Sequence, residues 1–130
     1  MSENGRDPLR MGPKADEAHI RLETAGDVTI YAIANENVYP KQADEIAETI
    51  RTALLEAPDA PKALIDLSGV EFICSALIGV LVDLHQLARD RAGELKICVT
   101  GEHAAYTMKL VKLNSVMQIA GNRQALLDSF

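Results

Sequence analysis

Lys62-Ala63-Leu64-Ile65-Asp66-Leu67-Ser68-Gly69-Val70-Glu71-Phe72-Ile73-Cys74-Ser75-Ala76-Leu77-Ile78-Gly79-Val80-Leu81 is the stretch on which the fold turns. Its first six residues form a short apolar strand, suited to the centre of a partly parallel sheet that is covered on both faces. Ser68-Gly69 supplies a turn, and Val70 to Ile73 is extended again. From Ser75 to about Ala92 the apolar residues change period. Leu77, Val80, Leu81, Leu84, Leu87 and Ala88 fall on one helical stripe, and Gly93 is expected to end the helix.

Towards the N-terminus, His19 to Thr24 alternates polar and apolar, as an edge strand does. Gly26-Asp27 makes a turn into the β-branched run Val28 to Ala34, so the two runs are expected to form a hairpin with the second strand more buried. A helix begins at Pro40, with Ala43, Ile46, Ala47, Ile50, Ala53 and Leu54 on its inner side. Pro58 and Pro61 close it off. Towards the C-terminus, Leu95 to Val99 reads as a strand. Glu102 to about Val111 reads as a helix burying Ala104, Met108 and Val111, and Val116 to Ile119 as a last short strand. Asn122 caps a closing helix, Arg123 to Phe130, whose Leu126, Leu127 and Phe130 dock on the body. This order predicts an α/β domain over residues 17–130, with a mixed, mostly parallel sheet, an antiparallel first strand and about four packed helices.

Composition narrows the function classes. The chain has 130 residues, 48% hydrophobic and 25% charged, which suits one globular domain. A formal charge of −6, without a basic run, excludes a surface that tracks nucleic-acid phosphates. Residues 1–16 read as a flexible, solvated arm without the apolar core of a secretory signal. The longest apolar run, Ala76 to Val82, is far short of the roughly 20 residues that cross a bilayer, so no membrane contact and a cytoplasmic location are expected. Cys74 and Cys98 lack the paired spacing of a zinc or redox site, and His19, His85 and His103 lie on different elements. With no glycine-rich phosphate loop either, the reading is of a binding protein and not an enzyme, with no cofactor and no metal.

The stretch from Leu64 to Leu81 resembles the signature of STAS domains, the family shared by anti-sigma factor antagonists and the tails of sulphate transporters. In that family a strand leads through Asp-Leu-Ser-Gly-Val and an apolar pair to Asp-Ser-Ser/Thr-Gly-Leu-Gly at the start of a helix. Here Asp66 to Val70 match, and the likeness extends over roughly residues 18–130. With no membrane span, the chain is similar to the free-standing antagonists. Their scheme implies an anti-sigma factor or serine kinase as partner, regulation of transcription by partner switching, and release on phosphorylation of the serine at Ser75. The sequence departs from the pattern at Cys74, which replaces an Asp, at Ala76 and Leu77, and in the loop from Asn35 to Val38.

The implied site comprises Ser75 as phosphoacceptor, with Asn35, Glu36, Asn37, Cys74, Ala76, Ile78, Val82 and Gln86 around it for partner binding. A phosphate on Ser75 would meet the positive end of a helix and add about −1.5 to −2 charges. Ile78 and Val82 widen the apolar arc of this helix towards Ser75, and either a partner or a neighbouring loop can cover them. Three other readings stand beside this one. Ser75 can serve only as an N-cap, the domain can be an unphosphorylated scaffold or homodimer, and Cys74 at a helix start can be a redox-sensing thiol. Asp66 is expected to accept hydrogen bonds from the Ser68 and Gly69 amides.

Overall fold

The computed structural model describes residues 17–130. The arm expected over residues 1–16 lies outside them. Chain order is β1 (Ile20–Ala25), β2 (Val28–Ile33), β3 (Asn37–Val38), α1 (Pro40–Glu56), β4 (Lys62–Asp66), β5 (Phe72–Ile73), α2 (Ser75–Asp90), β6 (Glu94–Cys98), α3 (Glu102–Leu110), a 3-10 turn (Leu113–Ser115), β7 (Ile119–Ala120) and α4 (Arg123–Asp128). The main sheet runs β1-β2-β4-β6-β7, and β3 pairs with β5 in a small second sheet. Among the described residues, only β1 against β2 is antiparallel. Gly26 opens the two-residue hairpin turn with φ of +63°, the sign that glycine adopts without cost.

Strand alternation divides the core in two. From β4, Ala63 and Ile65 point towards α1, α2 and α3, into a cluster with Ile46, Ile50, Leu77, Leu81 and Met108. Leu64, between them, points to the opposite face, where Val28, Ile30, Cys98 and Leu126 form a second cluster. The expected burial of the central strand on both faces is therefore present, with the short helix α4 as its second cover. Entry into α1 is fixed by Pro40 at the first helical position and by the buried Gln42, whose Oε1 accepts from the Tyr39 amide at 2.8 Å.

Three details differ from the sequence reading. Helix α2 ends at Asp90, and its left-handed residue is Ala92 (φ 60°), not Gly93. The Ala92 and Gly93 amides donate to the Arg89 and Ala88 carbonyls, a Schellman closure. Gly93 serves a different need, because a Cβ there would stand 2.1 Å from the Pro61 carbonyl oxygen. Val111 does not face inward; it is the C-cap of α3 and 50% exposed. The last strand falls at Ile119–Ala120, since the preceding residues tighten into the 3-10 turn and leave Val116 exposed.

The closing helix docks as expected. Asn122 Oδ1 caps it by accepting from the Ala125 amide at 2.9 Å, and Leu126 is buried. Two polar ties add to this. Arg123 donates to Asp66 Oδ2 at 3.0 Å and also binds Glu23 on β1. Lys96, buried on β6, donates to Ser129 Oγ at 2.7 Å and lies 4.4 Å from the centre of the Phe130 ring.

The hydrogen bond from Arg123, with the attraction of that cation and of Arg21, holds the Glu23 carboxyl below its ordinary range. A lowered folded pKa means that the unfolded chain binds the proton first. The contribution is present above the ordinary glutamate value and is lost as pH falls through the folded one. Urea unfolding of Glu23→Gln is expected to show a flatter loss of stability on the acid side than wild type, and curves of equal slope would contradict the assignment. Among the described residues, no helix is long and apolar enough to cross a membrane.

Candidate functional site

Chain leaving the carboxyl end of β4 makes the site. Asp66 Oδ1 accepts from the Ser68 amide at 2.9 Å, as expected for that half of the turn, while its Oδ2 is taken up by Arg123. The Leu67 carbonyl accepts from the Val70 amide, and β5 then runs parallel to β3 with Asn37 opposite Phe72 and Val38 opposite Ile73. This pairing sets the direction in which the chain enters α2.

Ser75 is the first residue of α2 and is exposed. The N-cap position belongs to Cys74, whose extended backbone (φ −99°, ψ 166°) precedes the helix, so Ser75 is not the capping residue. The Cys74 side chain makes no capping hydrogen bond. The hydroxyl therefore stands at the positive end of a 16-residue helix, uncommitted to the helix start. Ala76 is exposed beside it, Ile78 is half-buried and Val82 is 36% exposed. Gln86 continues the stripe about 16 Å along the axis from Ser75, its Nε2 donating to Asp90.

Gly79 lies on this same stripe, and sequence reading did not single it out. A glycine within a helix costs about 1 kcal/mol relative to alanine. At Gly79 nothing in the fold requires it, because an added Cβ would meet no atom within 4 Å. Its effect is to leave a bare patch of backbone between Ser75 and Val82. An isolated glycine inside a helical pattern was the signal in the sequence.

The loop Asn35, Glu36 and Asn37 is brought beside β5, and its members separate in role. The Glu36 carbonyl accepts from the Glu71 and Phe72 amides. Asn35 instead turns back towards the start of β1, accepting from the His19 amide at 2.7 Å and donating to the Glu17 carbonyl at 2.8 Å. Its side chain is a clip within the fold. Asn37 is exposed at the rim, next to a cavity of about 450 Å³ that the loop shares with Tyr39 and Gln42.

An aromatic row also borders the site and was not anticipated. Phe72 stacks on His103 of α3 at 5.1 Å between ring centres and meets Tyr39 at 5.4 Å. Tyr39 is half exposed. The start of α3 reaches this position because Gly101 lets it approach the turn, where a Cβ would stand 2.4 Å from the Val70 carbonyl oxygen.

The thiols differ. Burial, with the neighbouring Asp66 carboxylate, pushes the Cys98 thiol up to about 11, so it stays protonated at neutral pH. Cys74 is half-buried and packs against the main core. Among the described residues, no three His, Cys, Asp or Glu side chains group as a metal site would require.

Residues 19–126 match the family model of the STAS domain. Solved structures with the same fold include an anti-sigma factor antagonist from Mycobacterium paratuberculosis, 18% identical, with a TM-score of 0.77 over 88% of this chain and 94% of that one. A STAS domain protein from Planctomyces limnophilus is 23% identical, with a TM-score of 0.74 over 85% and 95% of the two chains. The antagonist SpoIIAA in its unphosphorylated form is 14% identical, with a TM-score of 0.69 over 85% and 95%. Among curated proteins, none matches the sequence at a significant level. With the antiparallel first strand, the parallel remainder of the sheet and the helix opening at Ser75 all in place, the chain belongs to the STAS domain family.

Proposed function

We propose that this STAS domain is an anti-sigma factor antagonist, which captures an anti-sigma factor or its serine kinase on the Ser75 face of α2 and is released when Ser75 is phosphorylated. Gly79 carries this reading. A destabilising residue with no packing reason, on the one stripe of α2 that also bears Ser75 and the exposed Val82, is what a face shaped for close approach of another protein requires. Likeness in fold to known antagonists supports it. The chemistry is reversible binding, with a phosphoryl group supplied by the partner.

A phosphate on Ser75 would leave the helix intact, since it would meet the positive end of the dipole. It would also place about two negative charges in the contact, enough to repel an acidic or nucleotide-bearing partner. Titration against the anti-sigma factor kinases of the source organism tests this. Ser75→Asp is expected to weaken capture by about tenfold or more while Ser75→Ala stays within about threefold of wild type. Incubation of wild type with the captured kinase and ATP should add one phosphate, at Ser75. Equal affinity of all three forms, or phosphate elsewhere, would contradict the switch.

Gly79→Ala separates stability from binding at the same face. The variant is expected to be more stable by about 1 kcal/mol and yet to bind the partner more weakly. Unchanged affinity in the stabilised protein would remove Gly79 from the contact.

A further inference from the structure

We infer that the outer edge of β1 is a homodimer interface, in which β1 pairs antiparallel with β1 of a second copy and the two Leu22 residues face each other across a twofold axis. Among the described residues, β1 is hydrogen-bonded on one side only. The direction of its free groups follows from the hairpin. The Ala34 amide donates to the His19 carbonyl at 2.8 Å, and the register continues as Ile20 with Ile33, Arg21 with Ala32 and Leu22 with Tyr31. Hydrogen-bonded and non-hydrogen-bonded pairs alternate along an antiparallel ladder. His19, Arg21 and Glu23 are therefore bonded to β2, while Ile20, Leu22 and Thr24 turn their N–H and C=O groups outward.

A second copy can use those outward groups in few ways. Pairing Leu22 with the partner's Leu22 places Ile20 opposite the partner's Thr24, and every outward group in the overlap meets another. The same register sets Arg21 opposite the partner's Glu23, twice by symmetry, at the closely spaced non-hydrogen-bonded positions where side chains interact most. Sliding two residues in one direction puts Arg21 against Arg21. Sliding two in the other puts Glu23 against Glu23. A slip of one residue presents groups already committed to β2. The charges on this strand thus select one register, and it is self-complementary, as an isologous interface must be.

Burial agrees with this geometry. Leu22 is 64% exposed on the side of the sheet that carries α1. There it borders a groove of about 660 Å³ with Tyr31, Thr49 and Ala53. Charged residues on an edge strand ordinarily prevent pairing. Here opposite signs two residues apart would do so against other strands while accepting this one.

Sedimentation of the full chain is expected to show a dimer. Arg21→Glu would place like charges at both ionic positions and raise the dissociation constant by at least about tenfold. Arg21 lies mostly in solvent, and its 3.5 Å contact with Glu23 of its own strand is an exposed ion pair, so the exchange costs the fold little. In a Cys74→Ser background, Leu22→Cys should form an intermolecular disulfide on mild oxidation, since opposed hydrogen-bonded residues have Cα atoms about 5.5 Å apart. Thr24→Cys should not, because the partner's Ile20 lies opposite it. A full chain that remains monomeric at the highest attainable concentration would overturn the proposal. So would an Arg21→Glu dimer as tight as wild type, or equal cross-linking of the two cysteine variants.

Discussion

Leu81→Ala is expected to lower the unfolding free energy by about 3 kcal/mol, while Val82→Asp, at the adjacent position, changes it by less than about 1 kcal/mol and abolishes partner capture. The contrast follows from which way α2 points each side chain. Leu81 is fully buried, in the cluster with Ile46, Ile65 and Ile97, so truncation loses transfer energy and leaves a cavity among well-packed neighbours. Val82 lies about 100° further round the helix, on the Ser75 stripe, and is partly open to solvent. A carboxylate there stays hydrated in the free protein. In a complex it would be buried in an apolar contact without a partner, which costs several kcal/mol. Denaturant midpoints and partner titration on the same samples check both halves. A folded Val82→Asp that binds as wild type would remove this face from the account.

Asp66→Ala is expected to cost about 2–3 kcal/mol, a large loss for a single polar group. Only 6% of the Asp66 side chain is exposed, and its two oxygens serve two separate elements. One holds the Ser68 amide at the turn, and the other holds Arg123 at the start of α4. Arg123 keeps Glu23 and remains about one-third exposed, which limits the loss below that of a fully buried pair. Asp66→Asn retains an acceptor for Ser68 and should cost roughly half as much. The two variants separate the turn contribution from the charge contribution in equilibrium unfolding, and a stability equal to wild type in Asp66→Ala would show that neither matters.

Most of the architecture was legible because the sheet and helices carry different periods. The edge position of β1 followed from its alternation, and the depth of β4 from its continuous apolar run. α2 followed from a stripe that the structure confirms at Leu77, Leu81, Leu84 and Ala88. Local propensity failed where tertiary contacts decide. Ala92, not Gly93, takes the left-handed conformation, because Gly93 is needed where Pro61 passes within contact. The stretch after α3 is apolar enough to read as core, yet Val111 and Val116 point outward once the 3-10 turn shortens the path to β7.

At the candidate site the division is similar. Ser75 could be placed at the start of a helix from sequence, since the change of period marks it. Its position as first helical residue after Cys74 could not, because serine is a favoured N-cap residue and cysteine is not, so local preference points to the other arrangement. Asn35 read as part of a loop beside the site, but a side chain with both donor and acceptor finds backbone partners first, here on Glu17 and His19. The ties from Arg123 to Asp66 and Glu23, and the row of Tyr39, Phe72 and His103, join residues far apart in the chain, and no local pattern announces such contacts.

Hydrogen–deuterium exchange of the chain, free and saturated with the proposed anti-sigma partner, tests the central claim most directly. Slowed exchange is expected in the segment from Phe72 to Val82 and at the neighbouring start of α3, with α4 unchanged. Protection confined to α4, or absent from the first two turns of α2 in a saturated complex, would contradict it.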